Sequence, residues 1–309
     1  MILTLTINPA IDRTIISDRL AFEDRGYILT RGEAAGGRGI NASLVIHAFG
    51  GKTLALLTSG GGIGERMERS LAEMGFPFEV VRVQAEGRAN LTISDKQGLT
   101  IKLNEIGLPL EAKEINAVRD LVDARLKKAH WLMICGSTQP GVPPHFYSEI
   151  IALAKSRGVR TLLDTDGDAL NHGLEAKPSV ISPNQQEAER LLGRAIITRS
   201  QSLEAVKRIH DMGAEAVILS LGSRGALAAS PEGILEALPP RVEALCPIGA
   251  GDALAAAFVW AMEKKKPFAD ALRWAVAAGT ATAALPGMSF PTLDQTRAIY
   301  KQVEVRPVR

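Results

Sequence analysis

Ile248-Gly249-Ala250-Gly251-Asp252-Ala253-Leu254-Ala255-Ala256-Ala257-Phe258-Val259-Trp260 is the stretch around which the 309-residue chain is organised. The apolar run behind the glycines reads as a buried helix. Val242-Glu243-Ala244-Leu245 ahead of them reads as a short strand, so the expected local order is strand, glycine turn, helix. A helix start offers unpaired amide N–H groups and the positive end of a dipole, and together they hold an anion. Gly249 and Gly251 let the backbone come close to such an anion with no Cβ between. Asp252 stabilises a helix N-terminus on its own account. It also stands where a carboxylate takes the proton of a hydroxyl while neighbouring amides hold a phosphoryl group in transfer, a reaction that needs chiefly positioning, a proton acceptor and charge stabilisation. The chemistry expected of this turn is therefore an anion hole made by the backbone of Gly249, Ala250, Gly251 and Asp252, with the Asp252 carboxylate as the base.

Working outward from this turn, strands and helices alternate. Residues 131–135, 160–163, 179–181 and 216–220 read as strands, and residues 111–126, 144–156, 185–192 and 202–212 as helices. A hairpin is expected over 226–229 and 233–236, and helices over 251–265, 268–284 and 292–303. This rhythm means a mostly parallel sheet covered on both faces. The opening Met1-Ile2-Leu3-Thr4-Leu5-Thr6-Ile7 alternates like a first strand and lacks the basic start and cleavage site of a signal peptide, which points to a cytoplasmic protein. Asn8-Pro9 ends that strand. Asp12 just beyond is either a turn residue or a substrate contact, because ligands of open parallel sheets gather beyond the carboxyl ends of the strands.

Two segments break the rhythm. Residues 13–34 read as short alternating pieces, and residues 78–104 contain a hairpin turning at Asp95-Lys96-Gln97-Gly98. The expected organisation is an α/β core of residues 1–12, 35–77 and 105–309, with 13–34 and 78–104 forming a separate small sheet of about four strands. Such a sheet makes a lid, and its apolar face calls for a dimer partner or a closing motion. Glycine-dense turns at 36–39 and 59–64 each lead into a helix, yet neither fits a dinucleotide or Walker pattern.

Composition excludes several classes. Apolar residues make up 46% and charged residues 23%, ordinary for a globular chain, and the formal charge of +2 comes from scattered residues rather than a basic block. Lys264-Lys265-Lys266 suits the end of a helix, so no nucleic-acid partner is expected. No uninterrupted apolar run reaches membrane-spanning length, so no membrane partner is expected either. Cys135 and Cys246 form no Cys-x-x-Cys pair, and the five histidines have no metal-ligand spacing.

Taken together, the ordered motifs resemble the ribokinase-like (PfkB) carbohydrate kinases, in the branch of 1-phosphofructokinases, tagatose-6-phosphate kinases and minor 6-phosphofructokinases. The resemblance covers nearly the whole chain and implies a three-layer α/β/α sandwich with a small β-sheet lid. Thr4-Leu5-Thr6-Ile7-Asn8-Pro9-Ala10-Ile11-Asp12 resembles the branch's first strand and substrate aspartate, Asp12. Gly36-Gly37-Arg38-Gly39-Ile40-Asn41 is similar to the first signature, in which Gly36, Gly37 and Asn41 contact the sugar. Gly87-Arg88-Ala89-Asn90 resembles the lid segment whose arginine grips the substrate's phosphate, implying roles for Arg88 and Asn90. Ser137, in Gly136-Ser137-Thr138-Gln139-Pro140-Gly141, resembles a further phosphate contact, and Arg25 matches a basic lid position of some members.

On the nucleotide side, Pro183-Asn184-Gln185-Gln186-Glu187 resembles the family's Asn and Glu that arrange Mg2+ through water, implying Asn184 and Glu187. Ser220-Leu221-Gly222-Ser223-Arg224-Gly225 resembles the loop beside ATP, implying Ser220, Gly222 and Gly225 together with Gly251. The implied activity is ATP-dependent phosphorylation of a sugar phosphate, with Asp252 as base and ATP and Mg2+ as cofactors. Leu103-Asn104-Glu105 resembles the 1-phosphofructokinase and tagatose-phosphate group more than the minor 6-phosphofructokinase, and fructose 1-phosphate is the expected substrate. 6-Phosphofructokinase and tagatose-6-phosphate kinase are the alternatives, and a non-catalytic sugar-phosphate or nucleotide sensor is the competing class. A homodimer through the lid is implied. Four positions depart from the pattern: Tyr27 for a lid arginine, Ser182 for a lysine, Pro247 for a threonine and Met288 for a threonine.

Overall fold

The computed structural model describes residues 1–21, 23–287 and 289–308. Its strands are β1 (Ile2–Thr6), β2 (Ala10–Ser17), β3 (Ile28–Gly36), β4 (Thr53–Ser59), β5 (Phe78–Arg82), β6 (Arg88–Asp95), β7 (Thr100–Asn104), β8 (Trp131–Cys135), β9 (Arg160–Asp164), β10 (Val180–Ile181), β11 (Ala216–Ser220), β12 (Ala226–Ser230), β13 (Gly233–Leu238) and β14 (Glu304–Pro307). Its helices are α1 (Arg38–Ala48), α2 (Gly61–Met74), α3 (Ala112–Leu126), α4 (Phe146–Ser156), α5 (Gly167–Glu175), α6 (Gln185–Leu192), α7 (Arg199–Asp211), α8 (Ala250–Glu263), α9 (Phe268–Ala283) and α10 (Leu293–Tyr300).

A ten-stranded sheet runs in the order β14-β13-β12-β11-β10-β9-β8-β1-β4-β5. The seven strands from β11 to β5 pair in parallel, and β12, β13 and β14 extend the edge antiparallel. Period-two alternation divides the core between the faces. Leu3, Leu5, Leu132, Ile134 and Leu163 pack against α3, α4, α5 and α7 on one side, while Ile2, Met133, Leu162 and Ile218 pack against α1, α8 and α9 on the other. Helix α8 is buried from Ala253 to Ala261, which explains why its sequence is apolar all round rather than striped.

The small sheet has the order β3-β2-β6-β7, four strands as expected. Its register sorts the side chains. Ala34, Asp12, Asn90 and Asn104 form one cross-strand row, and on the opposite face Arg31, Ile15, Ile93 and Ile101 form another, followed by Glu33, Arg13, Leu91 and Leu103. One face is therefore polar near the root of the lid, and the other carries a band of isoleucine and leucine.

Three expectations need correction. Residues 78–82, assigned above to the lid, form β5 and pair with β4 at the edge of the large sheet. Asp12, assigned to the core, lies inside β2 of the small sheet. Residues 242–245 form no strand: they are exposed, and Leu245 N–H caps the carbonyl of Ala283 at the end of α9. Pro239-Pro240 just before them supply no amide donors, and the sheet edge beside β13 is taken by β14 instead.

Candidate active site

The parallel strands all point the same way, so their carboxyl ends bring distant segments together. Asn8 follows β1, Ser137 follows β8, Asp164 ends β9, Asn184 follows β10 and Ser220 ends β11. Helices α1 and α8 begin at the same edge, where Asn41 and Asp252 meet: Asn41 Nδ2 donates to Asp252 Oδ2 at 2.6 Å.

The start of α8 is shaped by its glycines. Gly249 has φ +81, and a Cβ there would lie 2.9 Å from the Phe290 ring, so both backbone and packing require glycine. Gly251 differs. A Cβ there would meet no heavy atom within 4 Å, so among the described residues nothing in the protein demands glycine at that position. Open space over a helix start is what an approaching ligand needs. Ala250 N–H closes a turn onto the Pro247 carbonyl at 3.2 Å, while Gly251 and Asp252 N–H have no backbone acceptor among the described residues. Of the Gly249–Asp252 turn expected to hold an anion, the Gly251 and Asp252 amides are thus the ones left open to a ligand.

Burial, reinforced by Asp164, pushes the Asp252 carboxyl up to about 7, while Asn41 and Arg38 pull the other way. The group is poised near neutrality, as a general base should be. Burial also raises Asp12, against the opposing pull of its hydrogen bond from Asn90 and the charge of Arg88.

The sugar-side candidates form one chain of contacts. Asn90 Nδ2 donates to Asp12 Oδ1 at 2.7 Å, and Arg88 Nη1 donates to Asn90 Oδ1 at 2.7 Å. Arg88 also forks onto the Asn8 carbonyl through Nε and Nη2, at 3.2 and 3.0 Å, and Asn8 Nδ2 reaches Ser137 Oγ at 3.2 Å. A Cβ on Gly36 would sit 2.0 Å from Asp12 Oδ2, so β3 passes the carboxylate too closely for any other residue. Gly37, with φ +135, turns the chain from β3 into α1. Arg25 is the exception. It lies exposed on the lid, and its guanidinium has no hydrogen bond or ion pair among the described residues. Tyr27 is likewise 65% exposed, and among the described residues it bonds only through its backbone, its N–H donating to Asp18 Oδ1 and its carbonyl accepting from Asp18 N–H.

On the other side of Asp252, Asn184 and Glu187 cap α6 reciprocally: Glu187 N–H donates to Asn184 Oδ1 and Asn184 N–H to Glu187 Oε2, both at 2.9 Å. Ser220 N–H donates to the Pro183 carbonyl at 3.0 Å, bringing the loop through Gly222 and Gly225 beside Asn184. Gly222 and Gly225 have φ of +61 and +86 around a single 3-10 turn, Gly222–Arg224. Ser182 is buried behind this edge, Pro247 is exposed before α8, and Met288 lies outside the described residues.

Sequence reasoning missed the residues that connect the two sides. Arg38 Nη1 binds Asp164 Oδ1 at 2.9 Å, and Arg38 Nη2 binds Asp166 Oδ2 and Glu187 Oε1, each at 3.0 Å. A lone cation between two glycines and an acid ending an apolar strand were the available signals. The hard oxygen donors of Asp164, Asp166, Glu187 and Asn184 suit Mg2+. Among the described residues no three acidic, cysteine or histidine side chains are gathered so as to grip a metal by themselves.

Residues 5–295 match the model of the pfkB family carbohydrate kinases. The chain is 32% identical to a 1-phosphofructokinase of Haloferax volcanii over 100% of this chain and 99% of the relative. It is 28% identical to a tagatose-6-phosphate kinase of Staphylococcus epidermidis over 99% of both. The tetrameric inhibited form of phosphofructokinase-2 from Escherichia coli superposes with a TM-score of 0.90, at 28% identity, over 97% of this chain and 98% of that one.

Proposed function

From the premise that this chain belongs to the pfkB family of carbohydrate kinases and is an ATP-dependent sugar-phosphate kinase, we propose that its substrate is fructose 1-phosphate, converted to fructose 1,6-bisphosphate. The observation that carries the catalytic assignment is Asp252, held by Asn41 at 2.6 Å and pushed up to about 7 at the open mouth of α8. The substrate hydroxyl lies between Asp252 and the γ-phosphate of ATP. An aspartate cannot ionise an alcohol beforehand, because the two differ too far in acidity, so Asp252 takes the proton late, as the new P–O bond forms. The Gly251 and Asp252 amides stabilise the charge on the equatorial oxygens meanwhile.

Asp12 and Asn90, together with Gly36, Gly37 and Asn41, orient the sugar. Arg88 and Ser137 receive the phosphate already on it, Arg88 by releasing the Asn8 carbonyl or Asn90. Arg25 reaches that phosphate only if the lid moves, in keeping with a lid that closes to exclude water. Ser220, Gly222 and Gly225 receive the nucleotide. Asn184 and Glu187 would hold Mg2+ through water, and the ion, when bound, would offset the negative charge of the phosphates. Support for fructose 1-phosphate comes from the likeness to the Haloferax volcanii relative, while the Leu103-Asn104-Glu105 motif favours fructose 1-phosphate or tagatose 6-phosphate over fructose 6-phosphate. The lid's isoleucine and leucine face supports a homodimer.

The test is ADP release with MgATP across fructose 1-phosphate, fructose 6-phosphate, tagatose 6-phosphate and the unphosphorylated sugars. The expected outcome is the highest kcat/KM with fructose 1-phosphate. A higher value with either isomer reassigns the substrate, and binding of sugar phosphate without turnover would make the protein a sensor.

A further inference from the structure

One guanidinium answers three carboxylates at the nucleotide side. Arg38 lies within 3.0 Å of Asp164, Asp166 and Glu187, whose side chains are 9%, 36% and 4% exposed. Among the described residues no other cation pairs with any of the three. Burial works against the arginine's charge, yet Asp164, Glu187, Asp252 and Asp166 hold it above its ordinary value. The planar fork is what lets one side chain meet three acceptors, and a lysine, a point charge on a flexible stem, cannot reproduce it.

These are the oxygens that a divalent cation would seek. A metal ion entering here meets carboxylates already paired with a cation, Asp164 and Asp166 through hydrogen bonds and Glu187 through an ion pair, and at least one must be released before it is held. We propose that Arg38 is a resident counter-cation that competes with the divalent metal for Asp164, Asp166 and Glu187, and so keeps metal affinity low until nucleotide phosphates arrive to add ligands. The inference rests on the kinase reading only in that this reading brings a divalent cation to these carboxylates. Arg38 acts here through the carboxylates it holds rather than on the reacting atoms.

The experiment is Mn2+ binding to the full, nucleotide-free chain, read by loss of the free Mn2+ paramagnetic resonance signal, for wild type, Arg38→Gln and Arg38→Lys. Arg38→Gln should bind Mn2+ at least about tenfold more tightly than wild type, and Mn2+ should raise its melting temperature more than it raises that of wild type. Arg38→Lys should fall between the two. Equal or weaker Mn2+ binding by folded Arg38→Gln overturns the inference. Should that variant fold only with Mn2+ present, the metal has taken the arginine's place, as proposed. Should it not fold even then, Arg38→Lys decides: tighter binding than wild type supports the competition, and unchanged or weaker binding refutes it. Absence of ADP release by wild type would instead remove the kinase reading, a result separable from the Mn2+ titration.

Discussion

Asp252 carries a pH signature whose sign follows from its surroundings. Burial and Asp164 favour its protonated form, moving it from 3.8 to about 7, and only the carboxylate accepts the substrate's proton. The expected profile of kcat/KM for the sugar phosphate therefore falls by about tenfold per pH unit below that value and levels off above it. A flat profile from pH 5.5 to 8 would remove Asp252 as the base. The same shift predicts a gain in stability. The folded protein holds this proton more tightly than the unfolded chain, so Asp252 favours folding at low pH and loses that contribution as pH rises toward 7 and beyond. Asp252→Asn, which cannot ionise but can still accept from Asn41, should be more stable than wild type at pH 8 by about 1–3 kcal/mol, with no gain at pH 4, in denaturant titrations. Its kcat should drop by at least about a hundredfold. Gly251→Ala separates fold from function in another way: a Cβ there meets no protein atom within 4 Å, so stability should hold or rise by about 1 kcal/mol while kcat/KM for ATP falls. Unchanged ATP kinetics would mean that no ligand approaches this backbone.

At the scale of elements, β6 ties the lid to the large sheet through one side chain. Arg88 starts the strand and forks onto the Asn8 carbonyl beyond β1, so it fixes the lid's root as well as facing the sugar side. Arg88→Ala should raise KM for the sugar phosphate by at least about tenfold with little change in KM for ATP, since a charge-assisted, bidentate partner of phosphate is lost. Equal rises in both, measured by varying each substrate in turn, would show that the substrate pose is wrong. Which elements the sequence disclosed follows from where the information lies. The helices and the interior strands were legible because burial imposes a pattern, a helical stripe where one face is covered, as in α3, and an unbroken apolar run where all faces are, as in Trp131–Cys135 and α8. Val242-Glu243-Ala244-Leu245 was misread because four residues of strand-like composition say nothing about whether a partner edge is free; β14 had already taken it. Phe78–Arg82 was misplaced for a related reason, since membership of one sheet or another is decided by pairing and not by local pattern. The site showed the same division: Asp252, Asp12 and Asn41 stood in recognisable motifs, whereas Asp164, Asp166 and Arg38 become a group only when β9, α1 and α6 converge.

At the scale of the molecule, the two sheets solve opposite problems. The large sheet hides both faces under helices, but the small one hides only its root, where Ile11 and Ala35 pack against Met67 and Leu71. Farther out, Ile101 and Leu103 are 40% and 56% exposed in the rows that also hold Ile15, Leu91 and Ile93. A contiguous apolar band on a sheet with free edges suits the proposed homodimer contact. Arg13 and Arg31 stand among these residues with Glu33, an arrangement of both signs suited to a self-complementary, two-fold contact. A partner lid stacked on this band would also hold both lids over their sites, so assembly and substrate capture should fail together. Leu103→Lys places a charge in the band without touching the core, because Leu103 is already half exposed in an edge strand. Light scattering at micromolar concentration should show the wild type as a dimer or larger and Leu103→Lys with a lower mass. The circular dichroism spectrum should stay unchanged, and KM for the sugar phosphate should rise by at least about fivefold. A variant of undiminished mass would move the interface elsewhere on the molecule. A monomeric variant with unaltered KM would show that each lid closes over its own site unaided.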